Sequence, residues 1–209
     1  KADPKLTVEV ENIVYGDVED IIIRTNADGN VTVYINGHVV VDGLTLDNNE
    51  SNVVLKASRW NVQYFDGKAI VHVENASAGE YSVEVVYNGN SNFNNATASE
   101  HFTVLRANTT LSIEAKASIK VGESNVINIT LDNTNATGNV TVNVDGKNYT
   151  VVLSDGVGNC TVENLTVGNY TISAYYGGDG NFVGCWNIAT FEVEKLDSFA
   201  IIDITTENV

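Results

Sequence analysis

Val140, Val142 and Val144 alternate with Thr141 and Asn143, and Tyr170, Ile172, Ala174 and Tyr176 alternate with Thr171, Ser173 and Tyr175. Phe191 and Val193 repeat the pattern, as do Val71 and Val73 earlier in the chain. An apolar residue at every second position marks a strand with one buried side. Between such runs stand Asn36-Gly37 and Asp145-Gly146. Both residues of a two-residue hairpin turn need positive φ, and these pairs supply it. The spacing predicts about seven short strands in each half of the chain, with turn signals every 8–12 residues, which is the grammar of a β-sandwich.

The halves are copies. Laid over Gly156–Lys195 at an offset of 89, Gly67–Arg106 needs no gap, and twelve positions are identical. They include Val73-Glu74-Asn75 over Val162-Glu163-Asn164, Tyr81 over Tyr170, Tyr87 over Tyr176, Gly89 over Gly178 and Phe93 over Phe182. Upstream the offset is 109, with Gly29–Val40 over Gly138–Tyr149. Tandem copies of one domain follow. We expect an all-β chain of two tandem immunoglobulin-like β-sandwich domains, at 1–106 and 107–195. Residues 196–209 then read as the first strand of a truncated third repeat, or a tail.

A Tyr just after a Gly, in "SAGEYSV" and "TVGNYTI", suggests a tyrosine corner at Tyr81 and Tyr170, where the hydroxyl bonds back to nearby backbone. Val83 and Ile172 stand where antibody domains place a Cys, so aliphatic packing against Ile21 and Ile23, or Ile127 and Ile129, replaces the intersheet disulfide. The sequence of a G-N-V-T-V strand, an N-G or D-G turn, G-x-Y-x-[VI] and Y-x-G-[DN]-x-N-F resembles bacterial and archaeal immunoglobulin-like repeats. Its Asn- and Thr-rich, acidic style is most similar to adhesin-like proteins of methanogenic archaea. The resemblance implies a non-catalytic stalk or adhesive role at the extracellular cell surface. The implied partners are neighbouring repeats and a host or microbial surface protein or glycan. The alternative is a carbohydrate-binding module appended to a cell-wall enzyme, which calls for a flat aromatic platform; Tyr175 and Tyr34 are its strand candidates outside the insertion described next.

Private features separate the copies. Between Gly37 and Gly67 the first copy holds 29 residues, and the matching interval between Gly146 and Gly156 holds nine. This inserted segment near 38–66 carries Arg59, Trp60, Tyr64 and Phe65. Aromatics with Arg are common binding anchors, so these four are a candidate binding surface; the other reading is a hairpin packed on its own sandwich. Cys160 and Cys185 occur only in the second copy. Either they form a disulfide at one end of the sandwich or they are two small apolar thiols.

The net charge of −16 repels phosphate and argues against nucleic-acid partners. No apolar run approaches a membrane span, so this stretch is not expected to insert directly. The sequence holds no G-x-S-x-G, phosphate-loop, H-E-x-x-H or EF-hand ligand series. No cofactor is expected; clustered acids such as Asp17, Glu19 and Asp20 suggest calcium, and Asp132–Gly138 resembles a calcium loop only loosely, since Thr134 and Ala136 break its ligand alternation. His72 and His101 face outward and become Thr161 and Thr190 in the sister copy, which suits no catalytic base. Twelve N-x-[ST] sequons begin at positions from Asn30 to Asn169, enough for a dense glycan coat on an extracellular domain.

Overall fold

The computed structural model describes residues 1–46, 54–57, 60–65 and 68–198; of 54–57, 60, 61, 64 and 65 it describes the backbone alone. The described residues are strands and turns without helix. They divide into two compact units, one of 1–107 with Gly180–Phe182, the other of 108–179 with the chain from Val183.

In the first unit one sheet runs β1 (Leu6–Glu9), β3 (Glu19–Thr25), β8 (Lys68–Val73), β7 (Trp60–Phe65), β6 (Val54–Ala57). The other runs β2 (Ile13–Val14), β10 (Ala96–Leu105), β9 (Gly79–Tyr87), β4 (Gly29–Ile35), β5 (His38–Leu46). The core is the inward half of the period-two pattern: Ile21, Ile23, Val31, Val33, Val71, Val83, Val85, Tyr87, Phe102 and Val104 are all buried. Each such side chain removed from water stabilises by roughly 1.5–3 kcal/mol.

The second unit repeats the plan with less material. One sheet runs β11 (Leu111–Glu114), β13 (Asn125–Leu131), β16 (Val157–Val162). The other runs β12 (Ser118–Lys120), β18 (Val183–Glu194), β17 (Gly168–Gly178), β14 (Asn139–Val144), β15 (Lys147–Val152). Ile127, Ile129, Val140, Val142, Ile172 and Tyr176 are fully buried.

The extra residues of the first copy follow β5, because His38–Leu46 is the counterpart of β15. They include the β6–β7 hairpin, which pairs along the free side of β8. In the second unit the corresponding strand β16 is an edge.

The predicted turns have the predicted geometry. Asn36 and Gly37 have φ of 50° and 75°, Asp145 and Gly146 of 50° and 80°. Asn75 and Asn164, at matched positions, are left-handed as well, with φ of 55° and 59°.

Candidate functional site

In both units the N-terminal strand leaves one sheet and joins the other. β1 pairs antiparallel with β3, and β2 then runs parallel to β10, the last strand of its unit. β11 likewise pairs with β13, and β12 then runs parallel to β18. The rungs correspond across the copies. Tyr15 N–H donates to the Leu105 carbonyl at 2.8 Å, and Val121 N–H to the Glu194 carbonyl at 2.9 Å. Thr103 N–H donates to Asn12 Oδ1 at 2.7 Å, where Glu192 N–H donates to the Ala117 carbonyl at 3.0 Å.

Each switch between sheets is pinned by one buried polar side chain at the start of β3 or β13. Glu19, 2 % exposed, accepts from Glu11 N–H at 2.7 Å. Asn125, 0 % exposed, accepts from Lys116 N–H at 3.0 Å and donates to the Lys116 carbonyl at 2.9 Å. The two occupy equivalent places, opposite Val73 and Val162. Burial pushes the Glu19 carboxyl up, and the neighbouring Asp20 and Glu11 charges add to this against the Glu11 N–H bond. The sequence signal for this pair was slight, since an acid and an amide at unaligned numbers do not look like one position.

Glu19 thus points into the core of its unit while Asp20 faces out and accepts from His72 Nδ1–H at 2.6 Å. Asp17 accepts from Val14 N–H in its own turn. The three acids named for calcium therefore serve three separate local bonds. Among the described residues no group of three His, Cys, Asp or Glu stands close enough to hold a metal ion.

Tyr81 donates to the Ser77 carbonyl at 2.8 Å and Tyr170 to the Thr166 carbonyl at 2.9 Å. Their rings stack on Phe102 and Phe191. The second tyrosine pair shared by the copies has a role that the sequence did not reveal. Tyr87 and Tyr176 are fully buried and donate to the Asp28 and Thr137 carbonyls at 2.7 and 2.9 Å. Burial pushes the Tyr176 phenol up to about 12, with the Asp179 carboxylate adding to it.

The repeated loop closes on that same backbone. Asn90 Nδ2 donates to the Asp28 carbonyl, and its Oδ1 accepts from Asn92 and Phe93 N–H. Asp179, at the matching position, accepts from Thr137 N–H and the Thr137 hydroxyl at 2.9 and 3.0 Å. Phe182 is fully buried and counts with the first unit, edge-on to Tyr15; Phe93 is half-buried.

Of the two readings of the cysteines, the structure has the second. Cys160 and Cys185 are free thiols, both half-buried and both with pKa raised by burial. Cys160 sits on β16, which packs beside β15, whereas Cys185 sits on β18, which packs against β11. They occupy opposite sides of the sandwich. Strands lie about 4.8 Å apart and sheets about 10 Å, while a disulfide needs Cα atoms within about 7 Å. Lateral order in the sheets was not legible in the sequence.

Trp60, Tyr64 and Phe65 lie on β7, whose backbone is hydrogen-bonded to β8. Their side chains, and Arg59 entirely, fall outside the described residues, as does 199–209. The structure adds an aromatic that the sequence reading passed over. Trp186 lies opposite Tyr175 across β17 and β18, and the two are 70 % and 59 % exposed. The signal was available, because Trp186 shares its outward parity with Ile188 and Thr190 in β18. Tyr34 is half-buried on β4.

With two stacked sheets, a tyrosine corner and a parallel terminal strand in each unit, the fold is that of tandem immunoglobulin-like β-sandwiches. Residues 111–193 match the bacterial Ig-like domain (group 3) family. The Ig-like domain so matched spans all of β11 to β18 but for the last residue. No curated protein matches the chain. Similar solved structures include the titin Ig tandem A164–A165, at 12 % identity and TM-score 0.36, covering 94 % of this chain and 98 % of that one. The titin I-band fragment I67–I69 has 12 % identity and TM-score 0.39, with 93 % and 67 % covered. A β-glucuronidase of Parabacteroides merdae has 9 % identity and TM-score 0.34, with 90 % and 25 % covered. At such scores these likenesses carry no argument about function.

Proposed function

We propose that this chain is a non-catalytic, load-bearing part of an extracellular adhesin-like surface protein. Its Ig-like domains act as a stalk that holds an adhesive end away from the cell. The observation that carries this is the parallel pairing of first and last strands, β2 with β10 and β12 with β18. Parallel terminal strands put the entry and exit of a domain at opposite ends. Tension applied through those ends runs along the strands and loads their rungs together, in shear, instead of opening them one by one. The sequons and the acidic composition suit the same setting. Its partners would be further repeats and a surface protein or glycan.

Pulling single molecules by their termini tests this. Val121→Pro removes the N–H that bonds the Glu194 carbonyl. One lost rung costs about 1 kcal/mol of equilibrium stability, but the unfolding force of the second domain is expected to fall out of proportion to that. A force no higher than that of a β-domain opened rung by rung, or one unmoved by Val121→Pro, would sink the reading.

A further inference from the structure

We propose that the outward face of β14, β15, β17 and β18, around Tyr175 and Trp186, is a binding site for a neutral polysaccharide. Tyr175 and Trp186 are directly opposed cross-strand partners, and Ile188, 52 % exposed, continues the apolar strip on the same face. Opposed side chains start about 5 Å apart, so the two aromatics occupy neighbouring places on the face. Large aromatics elsewhere in the described core are buried, among them Tyr87, Tyr176, Phe102 and Phe182. A contiguous exposed aromatic strip on one face is therefore unusual in this molecule, and such strips mark interaction sites.

The strip is kept open by glycine. Gly177 and Gly184 are the next outward positions beside Tyr175 and Trp186. A Cβ at Gly177 would meet Tyr175 Cε1 at 3.9 Å, so the tyrosine ring leans along the strand over the glycine. A Cβ at Gly184 would fall 2.7 Å from the Tyr176 carbonyl oxygen, so no side chain can grow there to cover the strip.

Charge selects the occupant. In a chain of net charge −16, the outward positions of β14, β15 and β17, and of β18 as far as Thr190, carry no charged residue. Their polar groups are hydroxyls and amides, with Thr141 opposite Tyr175 on one side and opposite Thr150 on the other. A pyranose has matching chemistry. Its axial C–H bonds form a polarised apolar face that rests on the negative face of an aromatic ring, and its hydroxyl rim bonds to neutral donors and acceptors. A protein partner would more usually be met by Arg beside the aromatics, and no Arg stands at these positions. The first unit is an internal control, since its matching positions are Val86 and Thr97, with Glu80 and Glu84 along the same strand. The same fold is built there without the platform, so the aromatics are not needed for folding.

The test uses the whole chain made in a host without N-glycosylation, so that no attached sugar covers the face. Retention is measured by affinity electrophoresis through gels containing hydroxyethylcellulose, galactomannan or pullulan, at low and high salt. The expected result is retention by at least one of the three, insensitive to salt. Trp186→Ala and Tyr175→Ala should each weaken it at least about tenfold, with far-ultraviolet dichroism and melting unchanged, and Tyr34→Ala should have no effect. No retention on any gel, retention equal in the variants, retention abolished by salt, or a Trp186-dependent self-association in sedimentation would each overturn the proposal. The outcome is separable from that of the pulling experiment, because neither aromatic lies on the β12–β18 rungs.

Discussion

Glu19 and Asn125 show how much one atom decides at a buried position. Both pin the switch between sheets, but the amide donates to the Lys116 carbonyl as well as accepting, and an ionised carboxylate cannot donate. The folded-state pKa of Glu19 is raised, chiefly by burial. Its contribution to stability is therefore whole below the unfolded carboxylate range and is lost as pH rises through the raised value. Glu19→Gln should accordingly stabilise the chain at neutral pH by about 1 kcal/mol, and the difference should shrink on acidification; urea unfolding at several pH values reads both. Asp132 has the opposite sign. Its carboxyl is held down by the Thr109 hydroxyl, then by Thr110 N–H, so its contribution is present at neutral pH and lost as pH falls. Tyr170→Phe removes the bond to Thr166 and should cost about 1 kcal/mol in the same assay. Thiol titration should count two free cysteines per chain after unfolding without reductant; finding none would restore the disulfide.

At the level of elements, the glycines rank themselves by their surroundings. Gly146 and Gly156 both have left-handed φ, of 80° and 75°. A Cβ at Gly146 meets open space, whereas at Gly156 it would lie 2.8 Å from the Asn133 carbonyl oxygen. Gly146→Ala should cost about 1 kcal/mol of backbone strain, and Gly156→Ala distinctly more, since the approaching atom is backbone and cannot turn aside. Thermal melts of the two variants compare them directly. Strand existence was legible throughout, because period two in Val140–Val144 or Tyr170–Tyr176 has one physical cause, a sheet with one wet side. Strand neighbours were not. Nothing in the residues of β16 and β18 says that they lie at opposite sides of a sandwich, and this is where the cysteine pairing failed.

For the whole molecule, a net charge of −16 means that the folded state works against its own field. Added salt screens charges beyond about 10 Å and should raise the melting temperature steadily before any specific ion effect; a melting point flat in salt would show that the charges are already paired or spread. Duplication, all-β class, turn chemistry and the corner tyrosines were determined by the sequence alone, because periodicity, positive φ and local hydrogen bonds are short-range demands that each residue meets where it stands. The tertiary structure alone decided which buried polar group meets which backbone atom, that Trp186 stands beside Tyr175 among uncharged outward positions, and that β2 and β12 run parallel to the last strands of their units. Those facts depend on lateral strand order, and strands paired across tens of residues leave no periodic trace in the chain.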